Sequence, residues 1–294
     1  MKRNQNAAKI LQAHKNKLFA LSAIKHVIVL GFGFIMIYPL IWMLMSSFKE
    51  SAVIFHEPGL IPSVWRLDNY INGWVRALGG RQTFTTFFGN SFMYAATATF
   101  GAVFASSMIA YSFSRGNYRG RKVIFTIVIG TLLLPGQVLM VPQYLWFHWL
   151  GWVGNYTPLI VPAFFGAAFF IFLITNFMNA IPRELDEAAK IDGCSFYGIY
   201  ARVIMPLSVP ALITSALFSF IWRWDDFMGP LIYVHRTALL PVSLALRVFA
   251  DPTTETDWGA FFAMSTLSLM PAVLIFIFFQ RYLVEGITTS GLKG

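Results

Sequence analysis

Charge is what this chain has least of. Only 12% of its 294 residues are Asp, Glu, Lys or Arg, about half the ~25% usual in soluble domains, too little to cover a water-facing surface. A single cysteine, Cys194, excludes an internal disulfide. There is no G-x-x-x-x-G-K-[ST] phosphate loop, and Gly-Lys does not occur even as a dipeptide. With no H-E-x-x-H and no Cys/His cluster, neither ATP hydrolysis nor a metal centre is expected of the chain itself. The five histidines, His14, His26, His56, His148 and His235, are scattered and have no evident acid or nucleophile beside them. The long apolar runs hold no Asp or Glu, whereas proton-driven carriers usually place carboxylates there. Energy for any transport therefore has to come from another subunit.

What is present is hydrophobic: 57% of residues, with a mean hydropathy of +0.62. Crossing the hydrocarbon takes about 20 apolar residues, and six stretches qualify, near 27–48, 86–113, 123–147, 157–181, 203–222 and 258–280. Runs this long and uncharged read as helices; barrel strands alternate polar and apolar over about ten residues. The expected fold is an all-α membrane protein of six transmembrane helices. It divides into an N-terminal tail 1–26, a six-span transmembrane domain 27–283 containing a loop 182–202, and a C-terminal tail 284–294. The segment before the first apolar run is too long for a cleaved signal peptide and reads as a tail followed by a retained span. Fifteen Lys/Arg fall on one side of such a layout and seven on the other, which predicts that both termini and the loop 182–202 are cytoplasmic. The net charge of +9 follows from inside loops holding cations near anionic lipid heads. Nucleic-acid binding would need those cations on one soluble face, and none exists.

Several intramembrane features are candidates for function. Gly101 and Ala105 form a small-xxx-small step for close helix approach. Leu134-Pro135-Gly136-Gln137 breaks the third run, and Gln137 is either a pathway residue beside a kink or an interhelical hydrogen-bonding group. At the end of the fifth run, Trp222 and Trp224 stand with Arg223, Asp225 and Asp226. Flat rings and carboxylates together suit a sugar, whose C–H face stacks while its hydroxyls pair. An interfacial tryptophan belt with a local Arg–Asp ion pair fits the same residues.

The segment 184–193 is charged and helix-forming between runs that carry no charge. Residues 123–182 hold no Asp, Glu, Lys or Arg, nor do 203–222. Pro182 suits a helix start. Glu184, Asp186 and Glu187 complement the positive end of the dipole, and Gly193 suits the position just past the end. Leu185, Ala188, Ala189 and Asp192 fall at helical spacing and predict one narrow face, with two alanines leaving room for a partner and Glu187 offering a charge. Glu187-Ala188-Ala189, Gly193 and Pro206 follow the spacing E-A-A-x-x-x-G-x(9)-I-x-L-P, with Val203 and Met205 in place of Ile and Leu.

These residues resemble the EAA loop of ABC-importer permeases. The likeness extends over roughly 20–294 through Gly136-Gln137 with Pro142, the run from Trp224 to Leu231, and the ending from Gln280 to Gly286 and Gly291 to Gly294. It is similar in particular to the maltose-transporter-G-like branch of carbohydrate permeases, departing from it where Trp224-Asp225-Asp226 replaces a frequent Trp-Asn-Asp/Glu. The resemblance implies a multi-pass subunit of the bacterial cytoplasmic (inner) membrane that pairs with a second permease subunit. Two cytoplasmic ATPase subunits would carry ATP and Mg, and a periplasmic or extracellular solute-binding protein would deliver a sugar. That sugar would be a di- or oligosaccharide, with an acidic, alginate-type one suggested by Arg223 and Arg247. Glu184, Glu187, Ala188, Ala189, Asp192, Gly193 and Pro206 would couple to the ATPase, and the C-terminal tail would reach the same interface. No cofactor is implied on this chain. A secondary carrier would need ion-coupling carboxylates and an inverted repeat, and a membrane-embedded enzyme a nucleophile–base or metal constellation; the sequence offers none of these.

Overall fold

The computed structural model describes residues 2–56, 59–75, 82–250 and 256–291. Arg76, Arg81 and the terminal residues 292–294 lie outside them, so the expectation for that tail is not addressed. Among the described residues there are helices and turns and no strand.

The chain divides into two compact units. The smaller comprises residues 1–70 and 257–266. It contains α1 (Lys2–Ser46), which runs through the expected tail and first span without interruption; in its apolar portion, Leu21–Ser46, the large side chains from Val27 to Leu40 are exposed, and Ser46 at its end is buried. The turn that ends α1 is tied by polar contacts. Asn69 donates to the carbonyls of Ser47 (2.8 Å) and Lys49 (2.7 Å), the Ser47 hydroxyl meets that of Tyr70 (2.7 Å), and the buried Lys49 amine donates to the Gly59 carbonyl.

The larger unit comprises 71–256 and 267–294. Following α2 (Asp68–Val75), which crosses the division, its axis is α3 (Phe84–Arg115). The inward face of α3 is built of small residues, with Ala95, Ala98, Gly101, Ala102, Ser106 and Ala110 all buried, which lets α7 (Ala168–Ala180) and α11 (Val209–Trp224) pack closely on it. At Gly101 the Phe164 ring comes so near that an added Cβ would stand 2.5 Å from it, as a small-residue contact requires.

Among the described residues, four helices are long and apolar enough to cross a membrane: Leu21–Ser46, Phe84–Arg115, Thr157–Ala180 and Trp258–Tyr282. Two bent pairs bring the number to six if each is one span. The third expected span is one of these. It is not a kinked helix but α4 (Arg121–Gly130), a 3-10 turn Thr131–Leu133 and α5 (Gly136–Trp149), with a 100° bend. A proline disfavours helical backbone in the residue before it, and here Leu134 (ψ 120°) and Pro135 (ψ 125°) are both extended. Two consecutive extended residues turn the axis far more than one missing hydrogen bond.

The fourth run is built in pieces, α6 (Thr157–Ile160), a 3-10 turn Val161–Phe165 and α7. The fifth begins earlier than expected, with α9 (Phe196–Ile199), a π-helical turn Tyr200–Ile204 and α10 (Met205–Leu207), then bends by 75° at Ser208 into α11. Pro206 and Pro210 bracket that bend and remove two backbone donors from it. Two short helices, α12 (Met228–Tyr233) and α13 (Val242–Phe249), precede α14 (Trp258–Gly291).

Candidate functional site

The charged segment forms α8 (Glu184–Ile191), with Glu184, Asp186 and Glu187 in its first turn and Lys190 in its last, the order that favours the helix dipole. Its C-terminal end is a Schellman motif: the Gly193 amide donates to the Lys190 carbonyl (3.0 Å) and the Cys194 amide to that of Ala189 (2.9 Å). The motif needs a left-handed residue, and Gly193 supplies it with φ +80°. Nothing lies within 4 Å of where a Cβ would stand, so a substitution meets only backbone strain. Gly193→Ala is expected to cost about 1 kcal/mol, lowering the melting temperature of the purified chain by about 2–4 °C. Gly193→Asn, which tolerates the same conformation, should lose less. Equal losses from the two would contradict the assignment.

The orientation of α8 differs from the single narrow face read from sequence. Ala189 and Asp186 are buried, while Ile191 is 87% exposed and Leu185 41%. Successive helical residues advance by about 100°. Asp186 and Ala189 therefore share the side turned to the chain's own core, and Glu184, Glu187, Ala188 and Ile191 form the opposite stripe. Ala189 touches its own bundle, so of the two alanines only Ala188 faces out. Asp192, the last capping residue, is exposed at the edge of that stripe.

A buried clamp holds the helix. Arg115, the last residue of α3, places its Nε 2.5 Å from an Asp186 carboxylate oxygen, and both side chains are almost wholly covered. The same guanidinium donates to the carbonyls of Met178 (2.9 Å) and Ile181 (2.8 Å) at the end of α7 and to the Ser114 hydroxyl (3.0 Å), which donates in turn to Asn179 (2.8 Å). One side chain thus ties α3, α7 and α8 together. Below it the Tyr111 hydroxyl donates to the Phe196 carbonyl (3.0 Å) with the two rings 4.6 Å apart, and Ser107 meets the Tyr200 hydroxyl at 2.6 Å. These contacts fix the segment leaving α8 against α3. Pro206 lies further on, exposed in α10 beside the 75° bend, and does not join α8. Arg115 was legible only as one of several inside cations, and nothing in the sequence pairs it with Asp186.

The candidate pathway residues separate. Gln137 is exposed in the first turn of α5. Trp222, 51% exposed, closes an aromatic group between α7 and α11, stacked on Phe170 (5.6 Å, 23°) with Phe169 at 5.3 Å and Phe218 at 5.7 Å. Trp224 is buried and donates its indole N–H to the Ser268 carbonyl (2.9 Å). Two residues apart on a helix is about 200°, so the two tryptophans cannot form the paired platform that the sequence suggested.

Asp226 is committed as well. Its carboxylate accepts from the Tyr94 hydroxyl (2.9 Å) and the Gly229 amide (3.0 Å), and its carbonyl from Ser243 (2.7 Å). Asp225 remains exposed at the end of α11, with desolvation raising its carboxyl above the ordinary range. Arg223 donates to the Ser219 carbonyl (3.1 Å) and hydroxyl (2.5 Å). The ion pairs among the described residues are Arg66–Asp68 and Arg115–Asp186, so the expected Arg–Asp pair is not formed.

Residues 101–289, α8 and both bent spans included, match the family of binding-protein-dependent transport system inner membrane components. The chain is 35% identical over 258 residues to the probable ABC transporter permease protein YurM of Bacillus subtilis, covering 87% of this chain and 84% of that one. It is 34% identical over 264 residues to the trehalose/maltose transport system permease protein MalG of Thermococcus litoralis, covering 88% and 92%. In three dimensions it is similar to a bacterial ABC transporter involved in the import of the acidic polysaccharide alginate, with a TM-score of 0.78 at 23% identity over 89% of this chain and 96% of that one. An all-helical chain with several membrane-spanning helices, no carboxylate in its apolar cores and relatives matched over most of their length thus belongs to the binding-protein-dependent transport system inner membrane components, the non-catalytic permease subunits of ABC transporters.

Proposed function

We propose that this permease pairs with a second permease subunit, takes a sugar from a periplasmic or extracellular solute-binding protein, and imports it by alternating access. Two cytoplasmic ATPase subunits, which hold ATP and Mg, would drive the cycle through α8. The observation that carries this reading is the exposed stripe Glu184, Glu187, Ala188 and Ile191 on a helix locked to α3 and α7 by Arg115. A rigid helix with one apolar anchor, one small residue and two carboxylates suits a groove with basic edges, and its anchoring transmits a push on α8 to the spans.

A di- or oligosaccharide is the cargo best supported. The relatives include permeases named for arabinooligosaccharides, trehalose/maltose and diacetylchitobiose. The two cations that would favour an acidic sugar also contact the chain itself, Arg223 through one nitrogen to Ser219 and Arg247 over the Phe227 ring at 5.6 Å, and both keep their charge. Trp222, backed by Phe170, offers the half-open ring on which a pyranose could stack, with Gln137 and Asp225 as further polar candidates along the path. Trp222→Ala is expected to raise the half-saturating sugar concentration about three- to tenfold, measured as ATP-dependent uptake into proteoliposomes holding both permeases, the ATPase and the binding protein. Unchanged saturation and rate would remove Trp222 from the path.

A further inference from the structure

We propose that the turn between α3 and α4 holds the headgroup of an anionic phospholipid. A cavity of about 610 Å³ opens there, lined by Arg121, Lys122 and Arg183 with Arg115 behind them, and no Asp or Glu among its walls. Arg115 is already spent on Asp186, and one nitrogen of Arg121 donates to the Gly116 carbonyl (2.7 Å). The rest of the Arg121 guanidinium, the exposed Lys122 amine and the exposed Arg183, one nitrogen of which donates to the Ser114 carbonyl (3.4 Å), remain to receive an anion. The cavity is built, not incidental. Gly120, at φ +84°, makes the turn that swings α4 back, and Phe113 meets Phe125 edge to face at 5.2 Å to fix the two helices at its rim.

What selects a lipid over another anion is the surface directly beyond the cations. Lys122 is the last charge before sixty uncharged residues, 123–182. Val123, itself a wall of the cavity, and Ile127 one turn on are 64% and 62% exposed on the same side of α4, with Ile124 beside them. Cations at the foot of an exposed aliphatic stripe match a phosphate joined to acyl chains. Tyr118, 39% exposed in the cavity wall, suits the headgroup level. Arg183 immediately precedes α8, so an occupied cavity would brace the N-terminal end of that helix from the membrane side.

The test is native mass spectrometry of the intact transporter released from phosphatidylcholine nanodiscs, titrated with phosphatidylglycerol. The apparent affinity for the first phosphatidylglycerol should fall about fivefold on Lys122→Gln and again on adding Arg121→Gln, each change removing one cation near the surface. Arg236→Gln, in a loop elsewhere in the chain, should leave it unchanged, and 10 mM inorganic phosphate should not compete. An affinity unmoved by both substitutions overturns the proposal. Competition by inorganic phosphate overturns it in favour of a soluble anion. Unchanged lipid affinity with loss of the ATPase subunit from the complex overturns it in favour of an acidic protein surface.

Discussion

Ala188→Arg is expected to abolish ATP-driven uptake while the permease still folds, inserts and pairs. The methyl of Ala188 is exposed on the outward stripe of α8, between Glu184 and Ile191. A guanidinium there fills the space that a groove must close on and sets a cation against its basic edges. Central interface positions of this kind carry about 2 kcal/mol or more, so ATPase affinity should fall by roughly 30-fold or more. The neighbouring substitution separates the two sides of the helix. Ala189 is buried against its own bundle, so Ala189→Arg should reduce the amount of folded permease itself. Ile191→Asp should behave as Ala188→Arg does. Uptake and ATPase retention measured together on these three variants decide the matter. Full transport by Ala188→Arg, or equal loss of folded chain for both alanines, would contradict the orientation assigned to α8.

Arg115→Ala is expected to be the most destabilising single change near the site, at about 3–5 kcal/mol, because it leaves the Asp186 carboxylate buried without its partner. It also removes a donor from the Met178 and Ile181 carbonyls and from the Ser114 hydroxyl that donates to Asn179. Removing both charges is gentler. A buried ion pair is often replaceable by apolar groups of similar volume at little net cost, so Arg115→Met combined with Asp186→Leu should recover much of the stability lost in either single variant. The pair's function is expected to lie in transmission. The double variant should hydrolyse ATP with less sugar moved per ATP, since α8 is no longer tied to both α3 and α7. Thermal unfolding of the purified complex gives the stability cycle, and uptake per ATP gives the coupling. A loss below about 0.5 kcal/mol for Arg115→Ala, the range of ordinary surface changes, would show that the clamp does not hold the helix.

Much of the fold was legible because its signals are local and large. Uncharged runs mark spans wherever they occur, and a short acidic helix between two of them has no bilayer in which to bury. The limits of α8 could be read from Pro182 and Gly193, and the Schellman motif at its end is the geometry that a glycine there permits. The direction in which α8 faces was not legible. Leu185, Ala188, Ala189 and Asp192 do share helical spacing, but which side turns inward depends on Arg115, more than seventy positions earlier in the chain. The same limit applies to the tryptophans. Trp222 and Trp224 look like a pair in sequence, yet Trp224 is drawn under by the Ser268 carbonyl on α14, and Asp226 by Tyr94 on α3. The bends were partly visible. Pro135 announced a break, but its 100° follows from two successive extended residues, and the 75° turn at Ser208 arises between two prolines that each suit a helix start when taken singly.

The most direct test of the account is affinity purification of the full chain from its own membranes in mild detergent, with mass spectrometry of what accompanies it. The account predicts a second multi-span permease and an ATPase bearing a phosphate-binding loop, the ATPase leaving the complex in Ala188→Arg while the second permease stays. A stable homodimer or lone chain with no ATPase would contradict it.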